Sequence, residues 1–333
     1  MTQNKPKTNP ELINYLKNSK GLYFSSGSYQ RNRFASIGYY HGYKGYRYIR
    51  KTTNQVPFSR FDELLAIYDF DSHIKSLFYP CVMQIETAFK NYVLEVIVNE
   101  IHSYEFSEIY SQLLNNFQSI SPNGKSAKND YKNALKDRME LRNRFYRIQT
   151  EAFTKNNPIA THFLERNNNL PIWAIFELIT LGEFGHFVSC LNFSCRKSIS
   201  VKLGIKASDD TEASMPKRLI YVTKDLRNAI AHNDIVFDAR FRTSAIDKQV
   251  GNAISNETGS IGITFDTITD YLILLVYQMK HIQSNKNELL AVISTFKKET
   301  EKLRKLIPIN IYNQIIYSDN SSKIQKLEEY VSK

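Results

Sequence analysis

The sequence contains few cysteines, and they form neither a disulfide framework nor a metal site. Three occur in 333 residues, Cys81, Cys190 and Cys195, without a CxxC pair or a Cys/His cluster. Disulfide-stabilised domains and zinc modules are therefore excluded as classes. Free cysteines are among the residues most often buried, so we expect all three in the core. We expect no cofactor and no bound metal.

Long apolar runs are also missing. A membrane-spanning helix needs about 20 consecutive apolar residues, and no segment of the chain supplies them. The first ten residues, MTQNKPKTNP, are polar and lack the apolar core of a signal peptide. We therefore expect a cytoplasmic protein that makes no contact with a membrane.

Glycine and proline are scarce, whereas aromatic residues are abundant. The chain has 12 Gly and 9 Pro against 21 Tyr and 20 Phe. This composition argues against a collagen-like or disordered chain and favours helices. We predict an all-α fold, with one exception: β-branched, alternating residues around Gly251 and Gly259 favour a small hairpin or extended excursion near 235–265.

Acidic residues are almost absent from the first 60 positions. Eleven Lys or Arg residues stand there against the single acid Glu11, which gives a charge of +10 out of the +11 of the whole chain. A positive field concentrated in this way attracts a polyanion and produces salt-sensitive binding without sequence preference. RNA is the partner that we predict for this region.

The most distinctive part of the basic region is a tyrosine-rich segment at residues 37–51, IGYYHGYKGYRYIRK. Aromatic rings beside cations suit single-stranded RNA, because bases stack on the rings and phosphates meet the cations. A second interpretation stays open, in which the tyrosines pack the segment onto the helical body; both can hold at once. The candidate RNA-binding side chains are Arg31, Arg33, Tyr39, Tyr40, Tyr43, Lys44, Arg47, Arg50 and Lys51.

Helical periodicity begins at residue 60. Apolar residues then recur at intervals of three and four up to residue 101, and Pro80 is expected to kink or divide this helix. Residues 123–126, NGKS, do not meet the requirements of a phosphate loop, because Ser119 replaces its first glycine, so we predict an exposed turn. We divide the chain into a basic RNA-contacting region (1–60), a helical domain (61–306) and a C-terminal surface helix or tail (307–333).

The strongest functional signal lies in residues 217–237, KRLIYVTKDLRNAIAHNDIVF. Its apolar residues predict a helix with one buried face, and Asn233 is a plausible end because asparagine tolerates the left-handed conformation. Arg227 and His232 are separated by about 140° and about 7.5 Å on an ideal helix. Both side chains can contact one phosphate only if the helix ends between them. A histidine there would lie at the negative end of the helix dipole.

This motif and its surroundings resemble two related groups of proteins. Arg227-Asn228-x-x-x-His232 is similar to the motif of the HEPN superfamily, many of whose members are metal-independent ribonucleases. The blocks IGYYHGYKGY, LAIYDFDSHIKSL, QIETAFKNYV and PIWAIFELITLGEF, followed by LRNAIAHND, resemble the Abi-like proteins of bacteria, of the AbiD/AbiF abortive-infection type. The resemblance covers roughly residues 10–240. That family often has arginine where this chain has His41, Lys75 and Lys90.

The resemblance implies a HEPN-like helical bundle and a toxic endoribonuclease of phage defence. The 2′-hydroxyl of RNA would attack the phosphodiester and leave a 2′,3′-cyclic phosphate and a 5′-hydroxyl. His232 would transfer protons, and Arg227 would neutralise the phosphate. Asn228 would orient the histidine or the phosphate by hydrogen bonds. A homodimer would join two motifs in one composite site. The AbiF branch is associated with a structured small RNA that restrains the protein.

Three alternatives stay open at the level of sequence. Arg227 and His232 can form a helix-end salt bridge and cap with Asp225 or Asp234, which is a purely structural role. The motif can instead grip a phosphate without cleaving it, which would make the chain a non-catalytic RNA-binding module of a defence system. A metal-dependent nuclease is the least favoured, because the carboxylates near His232 form no ligand set.

Overall fold

The chain is built from helices, as the sequence predicts, in a computed structural model that describes residues 6–120 and 125–333. The α-helices are α1 (Asn9–Lys20), α2 (Ser28–Ile37), α3 (Phe61–Ile101), α4 (Phe106–Gln112), α5 (Lys125–Thr154), α6 (Pro158–Leu164), α7 (Ile172–Leu178), α8 (Leu181–Cys190), α9 (Phe193–Lys202), α10 (Met215–Ala231), α11 (Lys248–Thr258), α12 (Ile268–His281), α13 (Lys286–Leu306), α14 (Ile309–Ile316) and α15 (Asn320–Ser332). A π-helical turn, Gly38–Lys44, follows α2.

Helix α3 is the central element of the fold. It runs for 41 residues and packs against α9, α10, α12 and α13. Pro80 lies inside it, and the helix is not divided there. A kink at Pro80 stays a prediction. Pro80 is exposed, and water can satisfy the backbone carbonyl that loses its partner. Buried Phe78, Cys81 and Val82 hold both sides of the proline against the core.

Helix α10 lies between α3 and α8. The contact with α8 is close because residue 185 is a glycine: a Cβ there would lie 3.1 Å from Ile220 Cγ2 and from the ring of Tyr221. Leu219 and Leu226 are buried on α10, so the amphipathic pattern of the sequence correctly identifies its inner face. The motif is thus carried by a helix clamped on two sides.

The hairpin predicted near 235–265 is not formed. Within residues 6–120 and 125–333 there is no β-strand, and the region contains α11 between two irregular segments. Helix α11 begins after Asp247, whose side chain accepts from Gln249 N, and ends at left-handed Gly259. At Gly251 a Cβ would meet Ile263 O at 2.2 Å, so the following segment folds back directly over the helix. Burial at helical spacing outweighs the β-branched composition.

The C-terminal region differs from the surface helix or tail predicted for 307–333. It forms α14 and α15, which pack against α11, α12 and α13 and bury Ile324 and Leu327. Lys323 of α15 is also buried, with Nζ 2.8 Å from Asp270 Oδ1. One apolar cluster extends from Ile13 to Val331, so all three sequence regions contribute to it. The division into three domains stays a prediction.

Several smaller predictions can be placed on this fold. The three cysteines are buried and unpaired, as expected. The exposed turn predicted around Asn123 and Gly124 lies outside the described residues. None of the helices in the described ranges combines the length and the apolar character needed to cross a membrane.

Candidate functional site

The end of helix α10 falls within the motif. The helix ends at Ala231, so its last residue lies between Arg227 and His232. His232 N donates to Asn228 O at 2.9 Å, Asn233 adopts the left-handed conformation (φ 57°), and Asp234 N donates to Ala229 O at 2.8 Å. These bonds cap the helix through its own backbone and leave the His232 side chain at the protein surface.

Arg227 lies in the contact between α10 and α3. Its Nε is 3.3 Å from Glu86 Oε2, and its Nη1 donates to Asn228 Oδ1 at 3.3 Å. The contact with Glu86 is an ion pair without hydrogen-bond alignment, since neither Nε nor Oε2 has a hydrogen bond. About 29% of the Arg227 side chain is exposed, against 8% for Glu86. Glu86 therefore holds the Arg227 side chain on its buried side, and the rest of the side chain is partly exposed to solvent.

Glu86 neutralises a second cation as well. Lys90 Nζ lies 3.1 Å from Glu86 Oε1, one turn further along α3, and donates to Ile179 O at 3.3 Å. One carboxylate thus stands between two cations, and the group keeps an excess of one positive charge. Such an excess next to an accessible guanidinium favours binding of an anion.

The sequence did not reveal Glu86 as the partner of Arg227. The structural alternative proposed Asp225 or Asp234 as the partner of Arg227, but Asp225 Oδ1 lies 3.0 Å from Lys224 Nζ and accepts from the hydroxyl of Thr243. Glu86 and Lys90 are four apart within QIETAFKNYV, and this pairing on a largely apolar helix was the signal that could have pointed to a buried charge.

His232, unlike Arg227, has no side-chain partner among the described residues. It is exposed, and its imidazole makes no hydrogen bond or ion pair with any residue in the described ranges. A neutral imidazole offers one donor and one acceptor nitrogen, so both functions are available to a ligand. The structural role of a capping histidine is not supported, because the cap consists of backbone groups.

The residues that follow His232 are fixed by helix α3. Asp71, fully buried, accepts from the backbone N of Val236 and of Phe237 at 2.7 Å each, and from Tyr46 OH at 2.7 Å. Asp71 also pairs with Lys75 at 2.9 Å. A single carboxylate therefore joins α3, the tyrosine-rich segment and the segment after the motif.

Lys75 continues this network to the motif itself. Its Nζ donates to Asn233 Oδ1 at 2.7 Å and to Asp234 O at 3.3 Å. Lys75 and Lys90 are two of the positions where the Abi-like family often has arginine, and the structure places both against the motif region. Their positive charge is kept in this chain.

The tyrosine-rich segment packs directly beside the motif. A Cβ on Gly45 would lie 2.8 Å from Ile235 Cδ1, so the two segments approach closely at this glycine. The Tyr46 ring stacks on Phe237 with centroids 5.7 Å apart. The body-packing interpretation of the tyrosines thus holds for part of the segment.

Other predicted RNA-binding side chains point to the surface. Arg31, Lys44 and Lys51 are exposed, and Tyr40 is 75% exposed. Lys44 Nζ lies 4.9 Å from the centroid of the Tyr40 ring and 5.4 Å from that of half-buried Tyr39. An ammonium between two phenol rings is the combination of cation and aromatic face that single-stranded RNA would meet.

The remaining candidates are held within the protein. Tyr43 is 7% exposed, and Arg33 forms an ion pair with Asp69. Arg50 donates through Nε to Asp266 O at 2.9 Å and through Nη1 to Gln314 O at 3.2 Å. Arg47 is half-buried. We do not expect Tyr43, Arg33 or Arg50 to meet RNA in this conformation, because each already has protein partners.

No group of three or more His, Cys, Asp or Glu side chains that could hold a metal ion occurs in the part of the chain that the structure describes. Two acidic groups near the motif, Glu86 and Asp71, are used in ion pairs with arginine and lysine. The motif residues themselves present a guanidinium, an amide and an imidazole, and the neighbouring Asp234 is exposed.

The sequence pattern of the Abi-like protein family matches residues 32–238, which is more than half of the chain. The chain belongs to the Abi-like family. The match confirms the resemblance inferred from the sequence blocks, and it spans the tyrosine-rich segment, α3 and the motif. No curated protein and no solved structure matches the chain. The residues matched by the Abi-like family, 32–238, include Glu86, Lys90, Arg227 and His232.

Proposed function

We propose that this Abi-like protein is a metal-independent endoribonuclease that acts as the toxic effector of an abortive-infection system. RNA carries its own nucleophile, so the protein has to supply a proton acceptor for the 2′-hydroxyl, a proton donor for the 5′-oxygen and a cation for the phosphate. His232 serves in the proton transfers, Arg227 binds the phosphate, and Asn228 orients the guanidinium through its 3.3 Å hydrogen bond.

The observation that supports this proposal is that two groups occur at the same helix end: an imidazole without a protein partner and a guanidinium held by an ion pair. Arg227 is held by Glu86, which reduces the conformational entropy that a phosphate contact would otherwise cost. His232 has no protein partner in the described ranges that would compete with a substrate. A residue whose role was only to cap the helix would have its ring directed to backbone groups.

The active species in this proposal is a homodimer. One chain supplies a single motif histidine, whereas the reaction uses both a general base and a general acid. A two-fold axis near the exposed end of α10 would bring two copies of Arg227 and His232 together, since every group near such an axis occurs twice. Mixing the unaltered chain with an excess of His232→Gln chains should then lower the activity per unaltered chain, because a mixed dimer carries a single motif histidine. Undiminished activity in proven mixed dimers would exclude the shared site.

Regulation by RNA forms the second part of the proposal. The resemblance to the AbiF type implies a structured small RNA that restrains the protein. Exposed Arg31, Lys44 and Lys51, together with Tyr40 beside Lys44, offer basic and aromatic side chains for such an RNA. Because this surface adjoins the motif through Gly45 and Ile235, a bound RNA there would shield His232 from substrate.

The test is incubation of the purified full-length chain with single-stranded RNA in EDTA, followed by analysis of the new ends. We expect 2′,3′-cyclic phosphate and 5′-hydroxyl termini, and a loss of at least about 100-fold in rate for His232→Gln. His102→Gln is a matched control, because His102 is also an exposed histidine directly after a helix. Equal loss in both variants, or activity only after addition of a divalent metal, would contradict the assignment.

A non-catalytic RNA-binding module is the second candidate, and one observation favours it. The ion pair with Glu86 already satisfies part of the charge of Arg227, as in a structural arginine. This candidate predicts salt-sensitive RNA binding with intact RNA recovered afterwards, and no effect of His232→Gln on RNA integrity. The same end-group experiment therefore separates the two functions.

A further inference from the structure

A cavity of about 330 Å³ lies between the tyrosine-rich segment and the residues that directly follow His232. Tyr40 and Tyr48 contribute to one wall, and Asn233 and Phe241 contribute to the other. Asn233 is bonded to His232, so the cavity adjoins the motif by chain connectivity. Its volume is near the lower end of the range for small-molecule sites, about 300–1,000 Å³.

The positive charges around this cavity are already neutralised or in use. Arg240, which also lines it, pairs with Asp238 at 2.6 Å and donates to Gly45 O at 2.8 Å. Lys75 donates to Asn233 Oδ1 and to the backbone O of Asp234. A phosphate would therefore find no free ammonium or guanidinium in the wall.

One charged group in the wall remains without a partner. Asp234 lines the cavity, and its carboxylate receives no hydrogen bond from the residues at 6–120 and 125–333. A carboxylate accepts hydrogen bonds and cannot donate them. It repels a phosphate and selects a ligand with N–H groups directed towards it. His41, which also lines the cavity, packs edge-on against Tyr46 with centroids 6.2 Å apart.

The open side of the cavity carries an aromatic ring suited to stacking. Tyr40 is 75% exposed, and its ring meets the edge of Tyr39 at a centroid distance of 5.4 Å. Lys44 Nζ lies 4.9 Å from the Tyr40 centroid. A planar base entering the cavity would thus stack on a phenol ring while its attached phosphate stays near an ammonium.

Among the RNA bases, only guanine presents two adjacent N–H donors, N1–H and N2–H, on its Watson–Crick edge. Adenine and cytosine place a ring acceptor beside their amine, and uracil has a single N–H between two carbonyls. A carboxylate therefore distinguishes guanine from the other three by a pair of parallel hydrogen bonds.

From these observations we infer that the cavity is a guanine-binding subsite, in which Tyr40 stacks on the base and Asp234 accepts from N1 and N2. The inference rests on the proposed function, because it assumes that single-stranded RNA is brought to His232. It adds a substrate preference: the bond that is cleaved is next to a guanosine. Asp234 is the residue that determines this preference.

Binding can be measured without cleavage on 2′-fluoro hexamers, which lack the attacking hydroxyl. The full-length protein is titrated with UUGUUU, UUAUUU and the inosine analogue UUIUUU, which has lost the N2 donor. We expect the guanine hexamer to bind about tenfold more tightly than the adenine hexamer, with inosine between them, as expected for a bidentate base contact. Asp234→Asn should remove the difference, and Tyr40→Ala should weaken the guanine hexamer about tenfold.

The control variant is Asp130→Asn, which removes one exposed carboxylate from α5 and should keep the guanine preference. Equal binding of the guanine and adenine hexamers by the unaltered protein would overturn the inference, and so would an undiminished preference in Asp234→Asn. Circular dichroism should show unaltered folding, since both mutated wall residues are exposed.

Cleavage of the corresponding unmodified RNAs keeps the two proposals separable. Guanine-selective binding without any cleavage would contradict the ribonuclease and leave the subsite in place. Cleavage at all nucleotides with equal rates would leave the ribonuclease in place and exclude the subsite. Cleavage beside guanosine that becomes unselective in Asp234→Asn is the result that we expect.

Discussion

Arg227 and Glu86 form an ion pair across the contact between α10 and α3, with Nε and Oε2 3.3 Å apart. It connects the motif to a sequence block far away in the chain, and it orients the guanidinium while leaving part of it exposed. In the proposed reaction Glu86 acts as a positioning residue, since it touches Arg227 and not the phosphate.

Replacing Glu86 by glutamine should separate this positioning role from a structural one. The change leaves Arg227 and Lys90 as neighbouring cations without their carboxylate, so we expect the free energy of unfolding to fall by about 1–3 kcal/mol. The rate constant for RNA cleavage, measured well below the melting temperature, should fall more than the apparent substrate affinity. Glu86→Asp, which keeps the charge, should recover part of the rate.

The matched control for this measurement is Glu95→Gln on the same helix. Glu95 pairs with Lys202 at 2.6 Å, but half of its side chain is exposed, so its removal should change stability by less than about 1 kcal/mol. If Glu86→Gln lowers stability and leaves the cleavage rate unchanged, Glu86 is structural only.

Asp71 is expected to be among the most sensitive positions in the fold. Its carboxylate accepts from Tyr46 OH and from two backbone N–H groups after the motif, and it pairs with Lys75. Asp71→Asn leaves Lys75 without its carboxylate partner, and we expect a loss of about 3–5 kcal/mol in urea unfolding. Tyr46→Phe removes one hydrogen bond to a charged group and should cost about 1.5–3 kcal/mol.

Asp69→Asn serves as the comparison for Asp71. Asp69 lies on the same helix and pairs with Arg33, but its side chain is 41% exposed. An exposed pair contributes about 1 kcal/mol or less. Similar losses in the free energy of unfolding at Asp69 and Asp71 would show that the buried network around the motif segment contributes no more to stability than an exposed ion pair.

Salt dependence tests the basic surface separately from the motif. Replacing Arg31, Lys44 and Lys51 by glutamine removes three exposed cations. If each contacts a phosphate of single-stranded RNA, the slope of log K against log salt should become shallower by about 2. Binding is measured by fluorescence anisotropy over a salt series.

Three exposed lysines of α13 provide the control for that series, namely Lys298, Lys302 and Lys305. Their replacement by glutamine changes the net charge equally but at a different place on the surface. An equal change of slope in both triple variants would indicate a non-specific effect of net charge instead of a defined RNA surface.

Alkaline pH should destabilise the fold through the buried thiols. Burial raises the pKa of Cys81 to about 11 and the pKa of Cys190 and Cys195 to about 12, from an ordinary value of 9.0. A pKa raised by folding gives stability that is complete below pH 9 and lost as the pH rises towards 11–12. At pH 10 each thiol should therefore contribute roughly 1 kcal/mol less than at pH 8.

The thiol contribution can be isolated by comparing variants. In Cys195→Ala the decrease in the free energy of unfolding between pH 8 and pH 10 should be smaller by roughly 1 kcal/mol than in the unaltered chain. The native protein should also react slowly with thiol reagents at pH 8. Rapid modification of all three cysteines under native conditions would show that they are not buried.

Much of the fold could be predicted from local sequence. The periodicity of α3 and α10, the burial of the cysteines and the left-handed end at Asn233 follow from residue spacing and backbone preference, which act within a few residues. The hairpin expected near residue 250 is not formed, because burial of one helical face outweighed the β-branched composition. Composition of a short window cannot report which neighbour covers it.

The sequence by itself determined that the helix carrying Arg227 would end close to Asn233 and that positive charge and tyrosines would be concentrated near residues 30–51. Only the tertiary structure decided that Glu86 is the partner of Arg227, that Asp71 holds the segment after the motif, and that Tyr40 and Asp234 face one cavity. Helix ends depend on hydrogen bonds between residues close in the chain. Ion pairs and cavities depend on which distant segments pack together, and that is settled by burial of the whole core.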